Sequence, residues 1–183
     1  MTTCTAFEGS RLIATGPVAH VALKVKEVLD RGEQAPVLIF DDHSSRLVEL
    51  DFRGTPQDVL ARLDPPPEEA PRRPGRPRLG VVAREVTLLP RHWEWLSSQP
   101  GGASVAIRKL VEQASRANQS QDRIRIARES AYRFMSAIAG NESGFEEAAR
   151  ALFAGNHERF EQEIAVWPPD IRNHAVKVAA DSW

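Results

Sequence analysis

The chain has 183 residues, 42% of them hydrophobic, with one cysteine and a formal net charge of −1. That length suits one sizeable domain or two small ones, and that apolar content excludes wholesale disorder. A single cysteine excludes an intramolecular disulfide and argues against a Cys-based metal site. No apolar run approaches the roughly 20 residues of a membrane helix, and the first residues lack the basic-then-apolar layout of a signal peptide. We therefore expect a cytoplasmic protein with no membrane contact.

The near-neutral total hides an uneven distribution. Residues 1–71 carry 7 Lys/Arg against 12 Asp/Glu, residues 72–133 carry 13 against 5, and residues 134–183 carry 4 against 8. The middle therefore has a net charge of +8 between two acidic flanks. Such a stretch can attract a polyanion, or it can be neutralised by the chain's own acidic ends.

The N-terminal part reads as β-β-α-β-β-α. "CTAFEG" and "RLIATGP" are short strands joined around Gly9. Val18, Val21, Ala22, Val25 and Val28 recur at helical spacing, with Gly32 as a stop. "APVLIFDD" and "RLVELDFRG" are β-rich runs joined by a loop. Thr55 and Pro56 then supply an N-cap and a first helical residue. The stretch from Asp64 to Arg78 has six prolines and nothing apolar larger than Ala70, so it reads as an extended linker, acidic first and basic second. Beyond it, Leu79–Leu89 reads as a strand and Pro90 opens a short helix. Pro100, Gly101 and Gly102 end that helix, and Ser104 caps the next, whose apolar stripe is Ile107, Leu110, Val111 and Ala114. Helix continues to Gly140. Two short helices from Phe145 to Trp167 pack through Phe145, Ala148, Leu152, Phe153, Phe160, Ile164 and Trp167, and a last helix begins near Pro169. The expected fold class is α+β. The expected segments are a small α+β domain (1–63), a basic arm (64–78), a strand-helix-helix module (79–118) and a helical C-terminal region (119–183).

The runs "GVVAREVTLLPRHWEWLSSQPGGASVAIRKLVEQA", "AYRFMSAIAG", "GFEEAARALFAG" and "PVLIFDD" resemble a bacterial family, domain of unknown function 2239, across nearly the whole chain. The resemblance implies a bacterial source and one shared architecture. The strand, Leu-Pro helix start, glycine turn and second helix ending "IRKLVEQA" also resemble a ribbon–helix–helix module. That resemblance implies a homodimer whose paired strands enter the major groove of double-stranded DNA. Arg84 and Thr87 would then lie on the strand, and a phosphate would sit on the backbone N–H groups of Ser104 and Val105. The strand allows two registers. Either Arg84, Val86 and Leu88 face the groove, or Glu85 and Thr87 do. The arm "RRPGRPR" resembles an AT-hook with one arginine replaced, which implies minor-groove contacts from Arg72, Arg73, Arg76 and Arg78.

No catalytic constellation is found, and neither a metal site nor a cofactor is expected. "FDDHSS" groups Asp41, Asp42, His43 and Ser44, but it reads better as a polar hairpin loop than as an acid–base site. Trp93 and Trp95 could stack on bases, but they suit a core or a dimer interface better. The expected function is thus that of a non-enzymatic, dimeric DNA-binding or regulatory protein. The alternative is an interaction or scaffolding module whose basic middle contacts acidic protein surfaces.

Overall fold

The computed structural model describes residues 3–32, 35–63, 82 and 84–183. β1 (Thr3–Glu8) is buried along nearly its whole length. It is the central strand of an antiparallel sheet of order β2-β1-β3, with β2 at Arg11–Pro17 and β3 at Val37–Asp41. Successive side chains of a strand point to opposite faces, so β1 needs cover on both sides. Cys4 and Ala6 face α1 (Val18–Asp30) and pack with its Val21 and Val25 and with Ile39 of β3. Phe7 and Phe40 belong to a second cluster on the other side.

That second cluster joins the two ends of the chain. It contains Ala131, Phe134 and Met135 of α4 (Gly102–Ile138), Leu152 of α5 (Phe145–Ala154) and Phe160 of α6 (His157–Ile164). Ile171 and Ala175 of α7 (Pro169–Val178) complete it, and a short 3-10 turn, Ala180–Ser182, follows. Residues 1–65 and 121–183 accordingly form one unit, and residues 66–120 form a second. The sequence separates 1–63 from 119–183, but the packing joins them. The sheet presents Phe7 and Phe40 on the face away from α1, and the C-terminal helices cover it.

The expected fourth strand over "RLVELDFRG" is not formed. Only Leu47 bridges to Phe40, and the Val48 N–H donates to the Ile39 carbonyl at 2.8 Å. The Asp51 side chain then accepts from the Arg53 N–H at 3.0 Å, and its carbonyl accepts from Arg62 at 2.8 Å, which turns the chain away from the sheet. Val48, Leu50 and Phe52 still pack against the α1-side cluster, so the alternation buries side chains without a ladder. α2 (Pro56–Leu63) starts as expected. Thr55 Oγ1 accepts from the Asp58 N–H at 3.3 Å, and the Asp58 carboxylate accepts from the Thr55 N–H at 2.8 Å.

Phe145, Ala148, Leu152, Phe160, Ile164 and Trp167 pack in or against the core as the sequence predicts. Phe153 does not, being 49% exposed beside Tyr132. Among the described residues no helix is long and apolar enough to cross a membrane.

Candidate functional site

The second unit holds the module singled out by the sequence. α3 (Pro90–Ser98) matches the expected short helix, with Pro90 at its start. α4 begins at Gly102, two residues before the expected cap. Gly101 and Gly102 have φ of +85° and +74°, and the Gly102 N–H donates to the Gln99 carbonyl at 2.9 Å. Both glycines adopt a left-handed conformation that a side chain would disfavour, so the turn is compressed into them. Ser104 is therefore not the N-cap but a residue of the first helical turn, where its carbonyl accepts from Arg108 Nε at 3.0 Å. Its backbone N–H and that of Val105 still lie in that first turn, where helical N–H groups lack intrahelical acceptors.

Arg84–Leu89 carries no strand in the single chain, and none of the described residues pairs with it in a ladder. Val86 and Leu88 line an apolar hollow of about 400 Å³ together with Trp95, Leu96, Ile107 and Leu110. His92 and Val111 complete its wall. Of the unit's described residues only Leu96 and Ala106 are buried. Val86 is 58% exposed, Trp95 51% and Val111 62%. Arg84, Thr87 and Ser104 are exposed and Val105 is half-buried. Arg72, Arg73, Arg76 and Arg78 lie outside the described residues.

The first unit offers polar groups that are already engaged. In the 41–46 loop, Asp41 Oδ1 accepts from the Ser44 N–H at 2.8 Å and its hydroxyl at 2.6 Å, which holds the Asp41 carboxyl below the usual range. Asp42 accepts from the buried Thr5 hydroxyl at 2.6 Å. Arg133 of α4 donates to the Ser44 carbonyl, and Ser45 Oγ lies 2.9 Å from Ser130 Oγ. This is a braced hairpin loop. Two shallow hollows flank the exposed Phe153, one beside Arg125 and Arg128 and one beside Tyr132 and Arg133. Arg125 is held by Asp122 and Glu129, and Arg128 donates to the Phe153 and Ser182 carbonyls, each at 3.0 Å. Burial pushes the Cys4 thiol up, with Asp42 and Asp41 adding to the effect. Among the described residues no group of three His, Cys, Asp or Glu side chains could hold a metal ion.

Compared with known proteins, residues 3–179 match the family described as "Uncharacterized protein conserved in bacteria (DUF2239)". The chain belongs to that family. The match begins in β1 and ends just past α7, so DUF2239 takes in both units. No curated protein and no solved structure matches the chain. The DUF2239 description names no activity or ligand.

Proposed function

We propose that this DUF2239 protein is a dimeric, non-enzymatic DNA-binding or regulatory protein of the cytoplasm. The observation that carries the reading is the net charge of +8 on residues 72–133, in the same stretch as the uncovered apolar face. The charge supplies attraction to a polyanion without sequence preference, and the apolar face supplies a reason to associate. Arg72, Arg73, Arg76 and Arg78 would follow the minor groove. The first turn of α4, at Ser104 and Val105, would hold a phosphate. Arg84 and Thr87 are the strand's candidate readers.

One observation favours the alternative, an interaction module for acidic protein surfaces. Val86 and Leu88 both line the hollow while Glu85 and Thr87 are exposed, which matches the register that turns Glu85 and Thr87 toward a groove. A groove-facing carboxylate weakens contact with phosphates.

Binding to a pool of random duplexes across a salt series separates the two readings. For DNA binding, affinity falls steeply with salt. Replacing the four arm arginines by alanine then flattens the log–log slope by about 0.9 for each phosphate that is no longer neutralised. A protein that binds an acidic polypeptide but no duplex at low salt is the interaction module.

A further inference from the structure

We propose that the face of the first unit around Phe153 and Tyr132 binds single-stranded nucleic acid, with one base stacked on each side of the Phe153 ring. This site lies beyond the reading above and stands without it, since it uses neither the arm, nor the second unit, nor a second copy.

Phe153 stands outside the core because of its place on α5. Ala148, Ala151 and Leu152 take the buried side of that helix, and the residue after Leu152 is turned about 100° from it. Phe153 is 49% exposed, and Tyr132 of α4, 41% exposed, lies 5.5 Å from it, ring centre to ring centre. Phe145 stands next to Tyr132 at 6.2 Å. Two large aromatic rings are thus held together with their faces partly in water.

A hollow of about 410 Å³ lies on the Arg128 side of Phe153, and one of about 530 Å³ lies on the Tyr132 side. Each is bounded by a guanidinium that is held in place but not neutralised. Arg128 donates to the Phe153 and Ser182 carbonyls, and Arg133 donates to the Ser44 carbonyl. Neither has a carboxylate partner among the described residues. Glu129 lines both hollows, and Arg125 pairs with it at 3.1 Å.

Exposed ring faces beside fixed, unpaired cations suit a ligand that is both flat and anionic. Nucleic acid supplies both in every repeat unit, and stacking on an aromatic side chain tolerates any base because every base has a π-face. In a duplex the bases are already stacked on one another, so a single strand is the form that offers them. The depth of the hollows decides between a strand and one small ligand. A small-molecule site encloses most of its ligand, whereas these hollows are shallow. Affinity must then come from several units in a row, which is what a strand provides.

Fluorescence anisotropy with a labelled oligothymidine of about ten residues, within the span of one stacking groove, tests this. The full chain is used with Arg72, Arg73, Arg76 and Arg78 replaced by alanine, so that binding by the arm cannot hide a loss at Phe153. That chain should bind the strand more tightly than it binds thymidine monophosphate or a duplex of the same length. Phe153→Leu keeps an apolar side chain and removes the π-face, and it should weaken strand binding roughly 5- to 150-fold. Phe153→Trp should restore it. Tyr132→Leu should weaken binding as well. Both rings are half-exposed, so the circular dichroism of the fold should persist in all three variants. Equal affinity for the parent and Phe153→Leu overturns the proposal, as does a parent that binds no strand at low salt. Thymidine monophosphate bound as tightly as the strand would make this a site for a small nucleotide. Polyglutamate that binds as tightly and loses the same affinity in Phe153→Leu would make it a dock for an acidic protein. Either result overturns the single-strand assignment. Duplex binding by the wild-type chain bears on the reading above and not on this site.

Discussion

Phe134 of α4 and His174 of α7 lie with ring centroids 4.6 Å apart, and Phe7 of β1 meets the same imidazole at 5.4 Å. His174 is thus a core residue, 7% exposed, held between a strand and a helix. Burial lowers its pKa from 6.5 to about 4. Lys177 adds to the depression and Asp42 opposes it.

The first prediction is an acid-labile core. Between about 4 and 6.5 the unfolded chain binds a proton at His174 that the folded chain does not, so stability falls as pH falls through that window. The loss approaches about 3 kcal/mol below pH 4, at 1.36 kcal/mol per pKa unit. His174→Gln removes the titrating group and should flatten the profile of urea unfolding against pH. A variant profile parallel to wild type would assign the acid sensitivity elsewhere. Asp41 loses its contribution only at lower pH, as its carboxylate is protonated.

The second prediction is that the sheet and the C-terminal helices unfold together. Phe134 is fully buried and lies 5.0 Å from Phe40 and 5.5 Å from Phe7, ring centre to ring centre. Phe134→Ala should cost about 3–5 kcal/mol through lost burial and the cavity left behind. Hydrogen exchange should show amides of β1 and α5 losing protection by the same amount. Unequal loss would mean that the two stretches are stable separately.

This shared core marks what the sequence could and could not tell. The helices were legible because each carries its own signals: the valine spacing of α1, the Thr55–Pro56 start of α2 and the Pro90 start of α3. β1 and β2 were legible from β-rich runs around Gly9. The contact of Phe7 with Phe134 was not, because local periodicity does not say which distant face covers a strand. The segment at 46–54 alternates like a strand, and Val48, Leu50 and Phe52 do bury. A ladder also needs a neighbouring backbone, and Asp51 turns the chain away before one forms. At the candidate site, Ser104 looked like a cap, but two consecutive left-handed glycines let α4 start earlier. Trp95 and Leu110 were legible as apolar. That they line one open hollow with Val86 and Leu88 is a property of the fold that no local pattern encodes.

The third prediction concerns Arg128. Its guanidinium donates from Nε to the Ser182 carbonyl and from Nη1 to the Phe153 carbonyl, joining α4 to the end of α5 and the final turn. Arg128→Met keeps the aliphatic stem and removes both charge-assisted bonds, at about 1.5–3 kcal/mol for such a bond. Arg128→Lys should recover only part, since an ammonium cannot present the two-armed geometry. Equal melting temperatures for wild type and Arg128→Met would show that water replaces both bonds.

The fourth prediction locates the start of α4. Were Ser104 the N-cap, Ser104→Ala would cost about 1 kcal/mol. In the observed structure Ser104 sits inside the first turn and is exposed, and its Oγ is only 3.3 Å from Arg108 Nη2. Alanine is the better helix former, so Ser104→Ala should change stability by no more than about 0.5 kcal/mol. Gly101→Ala should do the opposite. At φ +85° an added Cβ would lie 3.2 Å from the Val105 side chain, and a left-handed conformation costs a non-glycine residue roughly 1–2 kcal/mol. Urea unfolding followed by helical circular dichroism, with hydrogen exchange at residues 103–107, reads both changes. A larger loss for Ser104→Ala than for Gly101→Ala would restore Ser104 as the cap and move the start of α4 two residues along the chain.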